Sequence, residues 1–521
     1  MTEGLTGIGT YAFRPGEWRD EGQGRETLRT REARAAWNPM IDWEEVHPGN
    51  RGVTQDGRYE LFDAPVGVRL AVEPACKSDA LIRSDPAVEG GGGLHNVLAW
   101  QDRPNTVASG SDAYHILYGS FPPDGSSALR YARSADGYRF EKTPVGGRAD
   151  NVTGGPAHCG MFIDPTAEPA ERFKAMRMAG GYFDPDTNEL LPSGEWQKRM
   201  AAADYAGAGY DGPRIVNRNW LEGWTSPDGL QWTVIDTPLA DMPADGGIAP
   251  GYDRATGCYF AFVRPGGTGR RSIGITKTAD FRHWPLSRLV LTADPQDPPD
   301  TSFYGMYYFP YPGRDDLHAG VVQIYHQIGD DGDAQLAFSR DGLYWTRPER
   351  RPVIPVGPPG SDEAGIAWPW GVGLITLPDG WWAVPYDAGS WLHNAGHTMP
   401  RANGVIRWAR WRPHRLAGIE AETEGRFTIP TVTRSGGPLR LNYRCRAGGW
   451  IKVELIRSIP SRLNPDVRGL DGYTFEACDP LTGDEADREV TWNGNGDLDA
   501  AGSTVVIRVR MFAATLFAYR V

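Results

Sequence analysis

The sequence predicts an all-β chain, with a five-bladed β-propeller followed by a C-terminal β-sandwich. Turn-forming residues are abundant, with Gly 66 and Pro 42 among 521 residues, so many short elements joined by turns are expected. A stretch of the form Ser-x-Asp-Gly recurs along the chain. After about Ala417 the pattern changes to alternating strands. Each of these observations predicts one part of the architecture.

The recurring stretch is interpreted as a structural turn. Its copies are YARSADGYRF (131–140), WTSPDGLQWT (224–233) and FSRDGLYWTR (338–347), with a weaker one, TKTADFRHWP (276–285). Asp-Gly supplies a residue with positive φ, and the Ser or Thr hydroxyl can cap the backbone of the turn. The aromatic residue that follows is expected to pack between blades. The repeat therefore counts structural units and is not expected to be catalytic.

The chain divides into five units of about 45–75 residues, in which short predicted strands follow one another in the same order. Repeats of about four strands at this period are typical of a β-propeller. Apolar runs broken by Asp-Gly and Gly-Gly turns predict antiparallel hairpins. The strands of the five units are expected near 94–142, 158–233, 246–284, 302–347 and 365–414.

The C-terminal part predicts about seven alternating strands over about 100 residues without helices, which is typical of a β-sandwich. They are GRFTIP, LRLNYR, GWIKVELI, DGYTFEACDP, REVTWNG, STVVIRVRMF and ATLFAYRV. The predicted domains are an N-terminal extension with edge strands (1–90), the catalytic propeller (91–414) and the sandwich (415–521).

Composition and charge exclude several classes of function. The net charge of −12 and the pI of about 5.4 argue against a nucleic-acid partner. No apolar stretch is long enough to span a bilayer, and the first residues do not resemble a secretory signal. The five cysteines are scattered without metal-site spacing. A cytoplasmic protein without a membrane partner is expected, and a homo-oligomer is left open.

Several segments resemble bacterial proteins described as family-32-like glycoside hydrolases. These segments are YARSADGYRFEK, MFIDPTAEPAERFKAM, RRSIGITKTADFRHW, QLAFSRDGLYWTR and the closing GGWIKVELI…VTWNG…VVIRVRMFAATLFAYRV. More broadly, a five-unit propeller with a C-terminal sandwich resembles the furanosidase clan, which includes families 32, 43 and 68. The resemblance runs from about residue 90 to the end and implies the fold and a glycosidase activity.

The sequence departs from the motifs of family 32. The nearest match to its Trp-Met-Asn-Asp-Pro nucleophile motif is AWNPMIDWEE (36–45), which lacks the Asn-Asp pair. The Arg-Asp-Pro motif is matched only weakly, by FIDP (162–165). LEGW around Glu222 is the nearest segment to the Glu-Cys acid motif. Asp164 of FIDP is expected to pair with Arg172 or to cap a turn. The resemblance therefore supports the fold more than the chemistry.

Catalytic carboxylates are predicted where the innermost strand of each blade begins, because ligands bind in the central funnel of a propeller. Glycoside hydrolysis needs two carboxyl groups across the scissile bond, and a third can raise the pKa of the acid. Glu363 or Glu222 is the predicted general acid. Asp245 and Asp300 are predicted as nucleophile or base and as transition-state stabiliser, with Asp362 as a further member of the set.

Substrate-binding residues are predicted around the same funnel, because sugar rings stack on aromatic side chains and their hydroxyls need polar partners. Arg264, Arg270 and Arg271 would suit a carboxylate- or phosphate-bearing substrate, or could pair with surface acids. A His–carboxylate set could hold a structural divalent cation; no catalytic metal or other cofactor is predicted. The predicted substrate-binding residues are His95, Asn96, His158, Tyr304, Trp368, Trp391, His393 and Arg271.

The leading hypothesis is a glycoside hydrolase acting on a small furanoside, of the fructofuranoside or arabinofuranoside type. A glycoside phosphorylase or transglycosylase on the same fold is the second hypothesis. The third is a carbohydrate-binding propeller without catalysis. Because one fold serves many functions, the choice depends on the geometry of the site.

Overall fold

The computed structural model describes residues 36–53, 57–101, 114–184, 186–191, 216–242, 244, 247–265, 269–394, 402–460 and 467–521. Residues Val72–Leu416 form one compact unit, and the described residues before Val72 form another together with Ala417–Val521. Within the described ranges the helical segments are short 3-10 turns, and no helix is long and apolar enough to cross a membrane. The strands are β1 Asn38–Pro39, β2 Asn50–Val53, β3 Tyr59–Phe62, β4 Arg69–Val72, β5 Cys76–Lys77, β6 Ile82–Arg83, β7 Gly93–Gln101, β8 Tyr114–Phe121, β9 Ala128–Ser134, β10 Glu141–Lys142, β11 Gly160–Ile163, β12 Phe173–Phe183, β13 Val216–Ser226, β14 Thr233–Val234, β15 Ala249–Asp253, β16 Cys258–Val263, β17 Ile273–Thr278, β18 Arg288–Leu291, β19 Thr301–Pro310, β20 His318–His326, β21 Asp331–Ser339, β22 Ile366–Pro369, β23 Ile375–Thr376, β24 Trp382–Gly389, β25 Val405–Trp411, β26 Ala417–Thr433, β27 Arg440–Ile456, β28 Asp484–Glu489 and β29 Thr504–Arg520.

The unit Val72–Leu416 is built from antiparallel meanders in chain order. Strands β7–β10, β11–β14 and β15–β18 form three separate four-stranded sheets. The remaining strands form one nine-stranded sheet, because Gly332 of β21 pairs in parallel with Ile366 of β22. The fourth and fifth predicted units are therefore joined by hydrogen bonds, whereas the first three are separate sheets. Strands β5 and β6, from the predicted N-terminal extension, pair with β25 at its edge.

Each sheet of this unit packs against its neighbour in the chain, so the apolar residues on both faces of a sheet are covered. Leu117 of the first sheet packs with Met161 of the second, and Phe162 of the second packs with Val263 of the third. The third sheet packs on β19 and β20. The apolar residues of β24 and β25 pack on the first sheet, where Ala383 shares a core cluster with Ile116.

The Ser-x-Asp-Gly stretch forms the predicted turn. The Ser339 hydroxyl accepts hydrogen bonds from the backbone N–H groups of Asp341 and Gly342. The Asp341 carboxylate accepts bonds from the next two N–H groups, both at 2.8 Å. Gly342 has φ of 72°, in the left-handed region that favours glycine. The indole of Trp345 donates to the Gly342 carbonyl and packs on Phe262 of the neighbouring sheet.

The other copies repeat this arrangement. The stretches beginning at Ser134 and Ser226 make the same hydroxyl and carboxylate bonds to the backbone. In the weaker copy the Thr278 hydroxyl accepts from the N–H of Asp280, and the Trp284 indole bonds a backbone carbonyl of its own turn. The interpretation of the repeat as a structural turn is confirmed.

Asp341→Ala is expected to lower the free energy of unfolding by about 1–2 kcal/mol, because two backbone N–H groups lose their acceptor. Urea denaturation of the full chain measures the effect. Asp315→Ala is a matched control, since Asp315 is exposed and lies in the loop before β20. Equal midpoints for the two variants would contradict a stabilising role for the turn.

The C-terminal strands form one six-stranded antiparallel sheet in the order β28-β27-β29-β26-β4, with β1 paired to β29. The described C-terminal residues form four strands where seven were predicted. LRLNYR and GWIKVELI join into β27, STVVIRVRMF and ATLFAYRV join into β29, and DGYTFEACDP forms turns with an isolated bridge at Cys478 instead of a strand. Strand β27 has an irregular register between Cys445 and Trp450, and Ala513 of β29 has φ of 45°. Such irregularities bend a strand without ending it. The five cysteines are free thiols.

Candidate active site

Aromatic residues predicted to bind sugar lie together on the nine-stranded sheet. Tyr304 of β19 stacks on Trp368 of β22, with ring centroids 4.5 Å apart and planes 22° apart. Trp370 meets Tyr304 edge-on at 5.9 Å, and Nε2 of His393 lies 3.1 Å from the Tyr304 hydroxyl. Trp368 is only 2% exposed, whereas Tyr304 is half-buried, so Tyr304 keeps an accessible surface. We define the aromatic cluster as Tyr304, Tyr325, Trp368, Trp370, Trp391 and His393.

His95 connects the first sheet to this aromatic cluster. Its Nδ1 lies 2.7 Å from Oδ2 of Asp387 on β24, and both side chains are buried. The His95 ring meets Trp391 edge-on at 5.8 Å and lies 5.4 Å from Phe121. His158 is exposed, and its ring centroid lies 5.8 Å from that of Phe121. The structure thus brings His95 and Trp391 together and places His158 at the margin.

Asn96 lies in a bulge of β7, where the register shifts between His95 and Leu98. Its φ is 55° and its side chain is buried. Within the described ranges, its Oδ1 has no hydrogen-bond partner. A buried amide oxygen without a donor is unfavourable, and the substrate-binding role of Asn96 stays a prediction.

An acidic edge forms where β19 begins and β20 turns into β21. His326 lies opposite the first residue of β19 and opposite Asp331 in the ladder. Asp333 lies two residues further along β21, on the same face, and its Oδ2 is 3.1 Å from Nε2 of His326. Asp300 immediately precedes β19, and its carbonyl accepts from the Gln327 N–H at 3.0 Å. We define the acidic edge as Asp300, Asp330, Asp331 and Asp333.

The acidic edge adjoins the aromatic cluster directly. The Tyr325 hydroxyl donates to Asp330 at 2.8 Å, and the His393 N–H donates to the Asp330 carbonyl at 2.8 Å. Gly332 follows Asp331, and a Cβ at this position would lie 2.2 Å from the ring of Trp368. A glycine is therefore required for Trp368 to pack so closely against β21.

The pKa values of Asp331 and His326 are both shifted by their surroundings. Burial raises the pKa of Asp331 above its usual value, and the charges of Asp333, Asp300 and Asp330 raise it further against the opposing effect of His326. The hydrogen bond to Asp333 raises the pKa of His326, although burial opposes this. A carboxyl group with a raised pKa keeps its proton to higher pH, which is the property of a general acid.

His326→Gln is expected to weaken the pH dependence of stability. The pKa of His326 is raised from 6.5, so the protonated ring stabilises the native state below about pH 6.5, and this stabilisation is lost as pH rises through the native pKa. Thermal melting from about pH 5.5 to about pH 8.5 checks this. His283→Gln, at an exposed histidine, is the control. Parallel pH profiles for wild type and His326→Gln would contradict the assignment.

The predicted catalytic residues Asp362 and Glu363 form ion pairs at the side of the sheet where β5 and β6 join it. Asp362 lines a cavity of about 320 Å³, but it bonds Arg83 at 2.6 Å and Arg407 at 2.9 Å. Burial of the Asp362 carboxylate is outweighed by these arginines, which hold its pKa below the usual value. Glu363 lies 3.0 Å from Lys77 and accepts from the Tyr386 hydroxyl. The lowered pKa of Asp362 does not suit a general acid, and the Glu363 carboxylate is occupied by its contacts with Lys77 and Tyr386.

Glu222 lies within the second sheet, on β13. It bonds Arg177 of β12 and the Trp224 indole, both at 2.6 Å. These contacts make the Glu222 carboxylate one partner of an ion pair between neighbouring strands. Asp245 lies outside the described residues.

The residues of the site that were not predicted include Tyr325, His326, Asp330, Asp331, Asp333 and Asp387. Asp331 and Asp333 belong to the run QIGDDGDAQ, which has the composition of a turn. Their alternate spacing places both on one face of a strand if the strand begins at Asp331. Asp387 lies in the buried strand GWWAVPYDAG. One charged residue among apolar ones in such a strand could have marked it as a candidate site residue.

Among the residues that the structure describes, no three His, Cys, Asp or Glu side chains are placed to share a metal ion. These ranges therefore contain no ligand set for a structural divalent cation.

Comparisons with known proteins give distant structural similarity alone. No family model and no curated protein matches the chain. Similar solved structures include a thermostable family-43 glycoside hydrolase, with TM-score 0.39, 12% identity and coverage of 62% of this chain and 91% of that one. A putative glycosidase from Bacteroides thetaiotaomicron has TM-score 0.35, 12% identity and coverage of 71% and 93%.

A third similar structure belongs to the GH130 family of mannoside phosphorylases, which contains glycoside hydrolases that target β-1,2 mannosidic linkages in Candida mannan. Its TM-score is 0.35 with 14% identity, and the match covers 73% of this chain and 97% of that one. At these TM-scores the similarity is too distant to assign an activity to this chain.

Proposed function

We propose that this chain is a glycoside hydrolase whose active site combines the acidic edge with the aromatic cluster. The observation that carries the proposal is Asp331, a carboxyl group whose pKa is raised by burial and by neighbouring aspartates. Asp331 precedes Gly332, which packs against the ring of Trp368, and Trp368 stacks on Tyr304 to offer an apolar surface for a sugar. A protonated acid, further carboxylates and an aromatic platform are the parts that glycoside hydrolysis requires.

In this proposal Asp331 donates a proton to the glycosidic oxygen as the bond to the anomeric carbon breaks. Asp300, whose charge acts on Asp331, is the nucleophile or base, with Asp245 as a further carboxylate of the set. Asp333 and His326 lie 3.1 Å apart and act in opposite directions on the pKa of Asp331, which Asp333 raises and His326 lowers. Asp331 thus replaces Glu363 and Glu222 as the general acid, because those two residues bond cations.

The architecture that we propose for Val72–Leu416 is a five-bladed propeller. Support comes from the packing of each sheet on the next and of β24 and β25 back on the first sheet. For the C-terminal part we propose a sandwich formed by the bent strands β26, β27 and β29 with their bulges. In a propeller, the acidic edge would lie at the mouth of the central funnel.

We infer a small furanoside of the fructofuranoside or arabinofuranoside type as the substrate. The support is the resemblance of the sequence segments to the furanosidase clan. A panel of nitrophenyl furanosides and pyranosides, with small fructans and arabinans, tests this inference on the full chain. Turnover of the furanosides is expected. Turnover confined to pyranosides would retain the glycosidase and overturn the furanoside specificity.

A non-catalytic carbohydrate-binding propeller gives a different result in the same panel. It predicts sugar binding by calorimetry without release of nitrophenol from any glycoside. The raised pKa of Asp331 favours the enzyme, because perturbed carboxyl groups cluster at catalytic sites.

A further inference from the structure

One face of the C-terminal sheet carries a row of three cations. Lys452 of β27 pairs directly with Arg510 of β29, and Arg510 pairs directly with Arg426 of β26. Directly opposite residues of an antiparallel ladder project to the same face. This face is open to solvent, because both arginines are exposed, whereas residues that alternate with them, such as Phe427 and Val509, are buried. We define the cationic row as Lys452, Arg510 and Arg426.

The members of the cationic row have no ion-pair partner. In the part of the chain that the structure describes, no carboxylate oxygen lies within 4.0 Å of their charged groups. The next cation on the same face differs, because Arg508 pairs with Asp63 and with Glu454, both at 3.0 Å. Like charges directly opposite each other in a sheet are unfavourable. The row also lies on three interior strands, so its cations do not serve to protect a sheet edge.

Neighbouring groups offset only part of this charge. Nζ of Lys452 donates to the Phe475 carbonyl at 3.1 Å, and the guanidinium carbon of Arg510 lies 4.6 Å from the centroid of the Phe475 ring. Hydrogen bonds hold the pKa of Glu476 and of Asp479 below the usual value, and cations of the row contribute less. These two carboxylates therefore act on the row only beyond ion-pair distance.

Members of the cationic row line two cavities. Arg426 and Arg510 line a cavity of about 440 Å³ together with Phe475. Lys452 lines a cavity of about 540 Å³ together with Trp450. The guanidinium of Arg426 has neither a hydrogen bond nor a ring contact among the described residues. Arginine presents donors in a planar fork that matches a carboxylate, so this side chain is available to a ligand in the first cavity.

An aromatic pair lies in the next row of the same face. Trp450 and Phe512 are direct partners, two residues along the strands from Lys452 and Arg510, and a spacing of two keeps them on one face. Phe512 is 38% exposed and Trp450 is half-buried. Ala513, next to Phe512, has φ of 45°, and a non-glycine residue in this region costs about 1–3 kcal/mol and is typical of functional sites. Flat apolar rings beside cations suit a ligand with sugar rings and negative charges.

We propose that this face of the C-terminal sheet binds an acidic polysaccharide, with uronic carboxylates on the cationic row and a sugar ring on Trp450 and Phe512. Strands lie about 4.8 Å apart, so the row extends over about 10 Å and suits an extended anion. The net charge of −12 disfavours a nucleic acid, whose charge density is higher. The face belongs to the unit that contains Ala417–Val521, and the proposal does not depend on the proposed glycosidase.

Calorimetric titration of the full chain at low ionic strength tests this proposal. The probes are trigalacturonate, its methyl ester, which keeps the rings and removes the charges, and polyuridylate as an unrelated polyanion. Wild type should bind trigalacturonate about tenfold or more tighter than the ester, and Arg426→Gln and Arg510→Gln should each weaken that binding by about tenfold. Arg488→Gln, at an exposed arginine of β28 in the same sheet, is the matched control and should bind like wild type.

A further variant tests whether the anion binds at the aromatic cluster instead. Arg271, which was predicted to bind substrate, lies there, with its guanidinium carbon 5.5 Å from the ring centroid of Tyr304 and 5.0 Å from that of Tyr325. Arg271→Gln should retain the affinity for trigalacturonate. Binding that is lost in Arg271→Gln and kept in Arg426→Gln and Arg510→Gln would overturn the proposal.

Other results would also overturn the proposal. They are no binding to wild type, equal binding of trigalacturonate and its ester, or equal affinities of wild type and the variants of the row. Polyuridylate that binds more tightly than trigalacturonate, and is weakened by the same variants, would overturn the carbohydrate assignment. Arg426→Gln removes no side-chain contact among the described residues, so its melting temperature should not fall below that of wild type. A clear fall would show a structural role for Arg426 and contradict its assignment to ligand binding.

Discussion

Asp331→Asn is expected to lower kcat for glycoside hydrolysis by a factor of about 10² to 10⁴, because the amide cannot donate a proton to the leaving oxygen. The variant keeps the size of the side chain, so its melting temperature should stay close to that of wild type. Asp315→Asn, an exposed aspartate outside the site, is the control and should retain full activity. Measurement of kcat and KM on the same glycoside separates loss of chemistry from loss of binding.

Asp300→Asn extends the same prediction to the second carboxylate. Its charge contributes to the raised pKa of Asp331, so its removal should lower the pKa of Asp331 as well as kcat. The basic limb of the pH–rate profile of Asp300→Asn should therefore shift to lower pH. An unchanged profile with unchanged kcat would remove Asp300 from the site.

Lys174→Met is expected to lower the free energy of unfolding by about 3–5 kcal/mol, because it leaves a buried carboxylate without its cation. Nζ of Lys174 lies 2.7 Å from Oδ2 of Asp164, and the two side chains are 4% and 0% exposed. Burial of the Asp164 carboxylate is outweighed by Lys174, by the Tyr259 hydroxyl and by Thr166, which together hold its pKa below the usual value. Chemical denaturation of the full chain measures the loss.

A double variant provides the control for this ion pair. Lys174→Met combined with Asp164→Asn removes both charges, so it should recover part of the stability that Lys174→Met loses. Single and double variants of equal stability would contradict a buried charge as the cause. Asp164 was predicted to cap a turn or to pair with Arg172. The cap is confirmed by the Thr166 N–H bond, but the ion-pair partner is Lys174, and Arg172 supplies only a backbone carbonyl.

The repeated turn was predictable from the sequence because its chemistry is local. Ser339, Asp341 and Gly342 bond within four residues of one another, so composition and spacing sufficed. The same is true of the aromatic residues that follow the turns. The joining of the last two units into one sheet was not predictable, because it depends on a single parallel pair between Gly332 and Ile366.

The site was predictable only in part, because carboxylates at strand ends look alike in a sequence. Asp300, Tyr304 and Trp368 were predicted to share one mouth, and the structure places Tyr304 against Trp368 with Asp300 just before the same strand. Glu363 had the same local signal as Asp300, yet Lys77, 286 residues away, bonds it. Asp331 was missed because its role depends on its pairing with His326 across a hairpin, which composition does not show.

The leaving-group dependence of Asp331→Asn tests the central claim most directly. A dinitrophenyl glycoside leaves without protonation, whereas an alkyl glycoside of the same sugar needs an acid. If Asp331 is the general acid, the variant should lose about 10² to 10⁴ in kcat/KM on the alkyl glycoside and less than about tenfold on the dinitrophenyl glycoside. Equal losses on both substrates, or no loss on either, would contradict the assignment of Asp331 as the acid of a glycosidase.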